Sequence, residues 1–141
     1  INFSDRFLAG GIPTAFVRDG KAVPNVPTDT INFKESYDHA ASGWGGWVEV
    51  NYMNSYFLNN NNTVGIPAYV IANLNIHKNF EFHNNKWIRF AKFFAEIDNI
   101  ADKKYAASGN VVADSTADAN KTLFFAGYGR SFYAGVTLGL F

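Results

Sequence analysis

The sequence predicts an all-β chain whose antiparallel strands belong to a membrane-spanning barrel, and three observations predict it. Apolar and polar residues alternate with a period of two through five separate segments, the pattern of strands with one apolar face. The connectors between those segments run long, short, long, short, long, as expected of a barrel with short turns at one membrane face and longer loops at the other. Aromatic residues reach 17% of the 141 residues, while the mean hydropathy is slightly negative, which fits strands exposed to lipid on one side only.

The elements follow in order. The first strand covers 28–38, with Ile31, Phe33 and Tyr37 on one face and Asn32, Lys34 and Ser36 on the other; Glu35 interrupts the apolar side. The second covers 46–57 and sets Val48, Val50, Tyr52 and Tyr56 against Glu49, Asn51 and Ser55. The third, 68–80, has the cleanest alternation, with Val70, Ala72, Leu74 and Ile76 opposite Asn73, Asn75, His77 and Asn79. In the fourth, 86–97, both faces carry large apolar residues, so the pattern alone does not choose the lipid side. The fifth, 130–140, places Phe132, Ala134, Val136, Leu138 and Leu140 in phase, and Phe141 falls out of phase unless a bulge shifts the register.

The connectors supply the second argument. Residues 4–27, 58–67 and 99–129 form the long ones, and 39–45 and 81–85 the short turns. A soluble sandwich has no reason to keep every second connector short. Trp44, Trp47 and Trp87 fall beside the short turns, and Tyr52, Tyr56, Tyr69 and Tyr133 towards the long loops. Indole and phenol rings favour the headgroup zone, so these positions predict two aromatic girdles, with Trp44, Trp47, Trp87, Tyr52, Tyr69 and Tyr133 as interface residues.

Composition narrows the function. Twelve basic and twelve acidic residues balance to zero charge, which offers no surface for nucleic acid. With no cysteine, disulfides, thiolate metal sites and cysteine nucleophiles are all excluded. Apolar runs stop at four or five residues, as at 68–72, far below the ~20 needed by a membrane helix. The opening residues Ile1 to Arg6 lack the basic, apolar and cleavage regions of a signal peptide, so the expectation is a chain that begins after processing or within something larger.

The chemistry-bearing residues form no recognisable site. His39, His77 and His83 are too scattered for a short metal-binding pair. Asp98, Asn99 and Asp102 cluster, but calcium asks for 6–8 oxygens. No serine, histidine and carboxylate set occurs at recognisable spacing, and no glycine-rich loop joins strand to helix, so the expectation is a non-enzyme without metal or cofactor. Asn59 to Asn62 read as a solvated loop before a ligand contact. Gly127 and Gly129 suggest released backbone constraint before the last strand, and Gly135 suggests a close-approaching neighbour.

Several ordered motifs then converge. Ile97-Asp98-Asn99-Ile100-Ala101-Asp102-Lys103-Lys104-Tyr105 matches an "xDNxxDxxY" strand end, and Gly127-Tyr128-Gly129-Arg130-Ser131-Phe132-Tyr133-Ala134-Gly135 a "PGRxxYxG" closing strand, with Ala126 where proline is usual. Upstream, Gly20 to Pro27 looks like the "GxxxPxxP" lead-in to a late strand, Tyr52-Met53-Asn54-Ser55-Tyr56 is similar to "YxxSY", and Pro67 to Leu74 to "PAYxxxNL". In this order, over about 20–141, the chain resembles the C-terminal part of a TonB-dependent outer-membrane receptor; the insert at 108–122 departs from the pattern.

The resemblance implies five to six antiparallel strands at the C-terminal end of a large barrel of about 22 strands. The whole of 1–141 would be that segment, with the plug domain and earlier strands lying elsewhere. Family register turns Phe93, Ala95 and Ile97 outward and Lys92, Glu96 and Asp98 inward. Implied partners are the remaining N-terminal barrel and plug, TonB-ExbB-ExbD acting through the plug, outer-membrane lipid and an iron-chelate ligand, all at the bacterial outer membrane. The implied function is uptake of a scarce nutrient, a ferric siderophore first. Loop residues available for ligand contact are Arg6, Phe7, Arg18, Tyr56, Asn59, Asn61, Tyr128 and Arg130, since arginine and aromatic groups suit an anionic or planar chelate. Two other readings stand beside it: a passive porin-like or structural barrel, and a soluble β-sandwich binding carbohydrate through its tryptophans.

Overall fold

The structure is a computed structural model, and it describes residues 4–9, 12–17, 20–84, 86–111 and 122–140; the side chains of 4–17 lie outside that description. Eleven strands occur among the described residues: β1 (Ser4–Ala9), β2 (Ile12–Val17), β3 (Thr30–His39), β4 (Trp44–Met53), β5 (Tyr56–Phe57), β6 (Gly65–Ile66), β7 (Tyr69–Glu81), β8 (Ile88–Asp98), β9 (Ala106–Val111), β10 (Thr122–Ala126) and β11 (Ser131–Leu140). The long ones, β3, β4, β7, β8 and β11, build one antiparallel sheet in the order β11-β8-β7-β4-β3. These correspond to the five segments that alternate in sequence.

Cross-strand register settles which residues share a face. In successive rows of the same face, Phe33 stands opposite Val50 and Val50 opposite Ala72, Ala95 stands opposite both Ile76 and Ala134, and Phe93 opposite both Lys78 and Val136. This face carries Ile31, Phe33, Tyr37, Trp44, Val48, Val70, Ile76, Phe93, Phe132, Val136 and Leu138, all exposed. Side chains alternate across a strand, so the opposite face holds Asn32, Lys34, Asp38, Glu49, Asn51, Asn73, Asn75, His77, Lys92, Glu96 and Asp98. Residues 93, 95 and 97 therefore share the apolar face, which the alternation of that strand alone does not decide. Ten residues of β3, at ~3.4 Å per residue and tilted ~40°, cover about 26 Å, the height of a barrel's apolar band.

Two features of the sheet differ from the sequence reading. The second strand ends at Met53 rather than 57: Tyr56 and Phe57 pair instead with Ile66 and Gly65 in a separate ribbon. At the C-terminus the β11–β8 register shifts between Gly139 and Leu140, so Leu140 meets Ile88 and Arg89 is the extra residue on β8. Phe141, whose phase the sequence left open, lies outside the described residues.

The long connectors contain structure that alternation did not show. They carry three further two-stranded ribbons, β1-β2, β5-β6 and β9-β10. Residues 1–29, 54–68 and 106–126 form one compact unit, and 30–53, 69–105 and 127–141 form the other, which contains the five-stranded sheet. Within the connector unit Leu58 and Ile66 are buried, the Asn25 N–H donates to the Phe57 carbonyl at 2.7 Å, and Asn62 grips both backbone groups of Ala22, accepting from its N–H at 2.7 Å and donating to its carbonyl at 3.0 Å. Beyond Leu58 and Ile66, the buried hydrophobic core among the described residues amounts to Ala91. A soluble sandwich would bury an inner apolar face of each sheet; here the apolar face of the large sheet is its exposed one.

Candidate functional site

The polar face of the large sheet is wired along its rows. Asn32 on β3 donates to Glu49 Oε1 on β4 at 3.2 Å, and Asn73 on β7 donates to Glu49 Oε2 at 3.2 Å, so one carboxylate is held from both sides. Asn32 also bonds Asn51. One strand further, Asn75 donates to Glu96 on β8 at 2.9 Å. Asparagine amides are suited to this because each offers a donor and an acceptor. The Lys34 ammonium sits 3.8 Å from the centre of the Trp47 ring, a cation–π contact on the same face.

Nearer the short turns this face flattens. Asp38 on β3 reaches over β4 to His77 on β7, with 2.7 Å between Oδ1 and Nε2. The crossing is possible because position 45 is glycine: a Cβ there would overlap both partners. His77 is buried, and its Nδ1 has no hydrogen-bond partner. Gly135 plays the same part on β11, where a Cβ would stand 2.7 Å from the Phe94 ring, as its sequence context suggested.

A second constellation ties the end of β8 to the start of β11. Asn99 is buried and adopts φ 50°, which asparagine tolerates better than most residues. Its backbone N–H donates to Asn73 Oδ1 at 2.9 Å, its Oδ1 accepts from the Lys103 N–H at 2.9 Å, and its Nδ2 donates to the carbonyls of Lys103 and Tyr128 at 2.9 and 3.0 Å. Asp102 Oδ1 accepts the Arg130 N–H and the Lys104 ammonium, each at 3.0 Å. The Arg130 N–H foremost, then Lys104, holds the Asp102 carboxyl below its ordinary value. Tyr105 packs against Tyr69 with ring centres 4.3 Å apart and planes tilted by 39°, and a Cβ at 127 would overlap the Tyr105 ring. Gly127 thus serves close approach; its φ is not positive. Asn99 and Asp102 are a structural clasp, and among the described residues no group of three or more His, Cys, Asp or Glu could hold a metal.

The expected ligand residues are dispersed. Tyr56, Asn59 and Asn61 belong to the connector unit, with Arg6 and Phe7, whose strand is described but not their side chains; Arg18 lies outside the described residues. Tyr128 and Arg130 belong to the sheet unit and expose their side chains. Asn59 is committed to its own loop, accepting from the N–H groups of Thr63 and Val64 at 3.0 and 3.2 Å and donating to Thr63 Oγ1 at 2.7 Å. Among the interface aromatics, Trp44 and Tyr52 lie on the apolar face and Trp87 is exposed just before β8. Trp47, Tyr69 and Tyr133 are in phase with the polar face. Proximity to a turn does not fix a face, whereas parity with Glu49, Asn73 and Thr137 does.

One exposed apolar face, one hydrogen-bonded polar face and connectors that alternate short and long along the chain define a segment of transmembrane β-barrel wall. A family model described as TonB dependent receptor-like, beta-barrel matches residues 2–100, and the chain belongs to that family. The match carries outer-membrane, TonB-dependent transport in general, and the receptors of this family are transporters rather than enzymes. No curated protein matched the chain.

Proposed function

We propose that this chain supplies the closing strands of a TonB-dependent receptor that imports a ferric siderophore or a similar anionic chelate. The observation that carries the reading is the five-stranded sheet from β3 to β11, whose one face is apolar and exposed and whose other is lined by hydrogen-bonded amides, within a chain of this family. Five strands cannot close a barrel whose smallest natural form has eight, and an open edge in hydrocarbon leaves backbone groups unpaired at several kcal/mol each. The edges at β3 and β11 therefore pair with the remaining, N-terminal part of the same receptor, which also contributes the plug engaged by TonB-ExbB-ExbD.

In this reading the short turns face the periplasm and the long connectors start and end at the side of the medium. Arg6, Phe7, Arg18, Tyr56, Asn61, Tyr128 and Arg130 are the connector-side residues offered to the ligand. Asn59 is withdrawn from that group because its amide is already used.

The test is uptake of radiolabelled ferric chelates by iron-limited cells that have this receptor as their sole importer. Uptake of one chelate that stops on removal of TonB or on collapse of the proton gradient supports the reading. Passive, saturation-free entry unaffected by either treatment overturns it in favour of a porin. Energised uptake of another nutrient with no ferric chelate taken overturns the siderophore assignment alone.

A further inference from the structure

The apolar face is not uniformly smooth. Above Gly46 a groove of about 470 Å³ runs along it, walled by Tyr37, Trp44, Val48, Leu74 and Ile76. Its floor is fixed, because a Cβ at 46 would overlap the Asn75 carbonyl oxygen. On the other side of Ile76 a second depression of about 200 Å³ lies among Trp44, Lys78, Phe93 and Ala95. Trp44 and Ile76 line both, and Lys78 lines the smaller one at the short-turn end.

Lys78 is one of two charged residues within the apolar rows of β3, β4 and β7, the other being Glu35 at the far end of the larger groove. Its stem lies on the wall and its ammonium is drawn down to the turn, where it donates to the Ser42 carbonyl. There it sits 5.2 Å from the Trp44 ring centre and 5.3 Å from that of Phe80. This is a cation at headgroup depth with its carbon stem in the apolar zone. An ammonium carries three donors, and the Ser42 carbonyl takes one.

We infer that this part of the outer wall is a specific site for one diacyl phospholipid of the periplasmic leaflet, its phosphate on Lys78 and its two acyl chains in the two grooves either side of Ile76. Charge, depth and the pairing of the grooves select this occupant: a phosphate complements the ammonium, and two apolar grooves lie side by side across Trp44 and Ile76 with the cation on the smaller one. Glu35 limits the length of the larger groove. The inference rests on the receptor reading only for its orientation, short turns towards the periplasm.

The test uses the complete receptor in nanodiscs doped with dioleoyl phosphatidylglycerol that carries a photoactivatable diazirine in one acyl chain, with adducts mapped by peptide mass spectrometry. Labelling is expected to concentrate around Val48 and Ile76, to be competed by unlabelled phosphatidylglycerol, and to fall about fivefold in Lys78→Gln, the effect of one cation near an anionic lipid. Val48→Phe, which fills the larger groove and keeps the charge, should lower it as well. Both variants are checked for intact folding by resistance to unfolding in cold SDS. Even labelling around the wall, including Val136, with no response to Lys78→Gln would overturn the site while leaving the membrane barrel intact. Competition by inorganic phosphate alone would overturn it as a plain anion site. A benzophenone side chain introduced at Val48 in cells that captures a polypeptide in place of lipid would assign the groove to a protein neighbour. Absence of lipid adducts anywhere on the apolar face would instead count against the barrel reading itself.

Discussion

The side-chain amide of Asn99 donates to the carbonyl of Tyr128, 29 residues further on, at 3.0 Å. Through this bond the end of β8 holds the approach to β11, and the longest connector is closed at its base whatever its length. A closed base matters because the entropic cost of loop closure rises only slowly with length, so a few well-placed bonds suffice to keep a long insert from fraying the wall.

Replacing Asn99 by Ala should leave the Tyr128 carbonyl and both backbone groups of Lys103 without their partner and cost ~2–3 kcal/mol. Hydrogen exchange on the complete receptor should show faster exchange at 100–104 and 128–131, with β4 and β7 protected as before. Equal acceleration throughout the sheet would show that Asn99 supports the wall generally and is no local clasp.

Asp102 gives the same clasp a pH dependence. Its folded-state value lies below the ordinary 3.8, so its contribution is fully present above that value and disappears as pH falls through the lower folded one. The stability difference between the native receptor and Asp102→Asn should therefore stay constant from neutral pH down to about 5 and shrink in stronger acid. A difference that already changes between pH 7 and 5 would point to another group.

The Asp38–His77 bond over Gly45 is a three-residue unit, so its members should not act independently. Asp38→Ala and Gly45→Ala are each expected to cost about 1–2 kcal/mol in denaturant unfolding, the second by pushing Asp38 off His77. The double variant should cost little more than either one. Full additivity would mean that Gly45 is needed for some reason other than this crossing.

What was legible in the sequence is set by element length. β3, β4, β7, β8 and β11 have ten residues or more, enough for alternation to rise above chance, and all five were visible. The ribbons β5-β6 and β9-β10 are two to six residues long; in so short a stretch alternation is indistinguishable from loop. The lipid face of β8 needed its neighbours, because Phe90 and Phe94 lie on the polar face yet pack flat over Gly139 and Gly135. Their phase is not apolar, only their chemistry. For the same reason Trp47 was grouped with Trp44 by its position beside a turn, although its ring belongs with Lys34 on the opposite face. The asparagine run looked solvated because composition carries no record of where an amide points; Asn59 and Asn62 spend theirs closing the connector unit.

The connector unit is expected to be stabilised separately from the wall, and Ile66 decides the matter. It has 1% of its surface exposed, the most buried large side chain among the described residues, and it sits in the ribbon that pairs Tyr56 with it. Ile66→Ala should remove ~2–5 kcal/mol from its surroundings through lost burial and the cavity left behind. If that packing serves only the connectors, limited proteolysis of whole cells should cut within 54–68 much faster than in the native receptor, while the barrel keeps its resistance to SDS. Ligand affinity should fall with it, since loops that must be ordered on binding lose affinity to that ordering. Loss of SDS resistance together with the loops would show instead that the connector core and the wall fold as one cooperative body, and the loops could then not be altered for specificity without weakening the barrel.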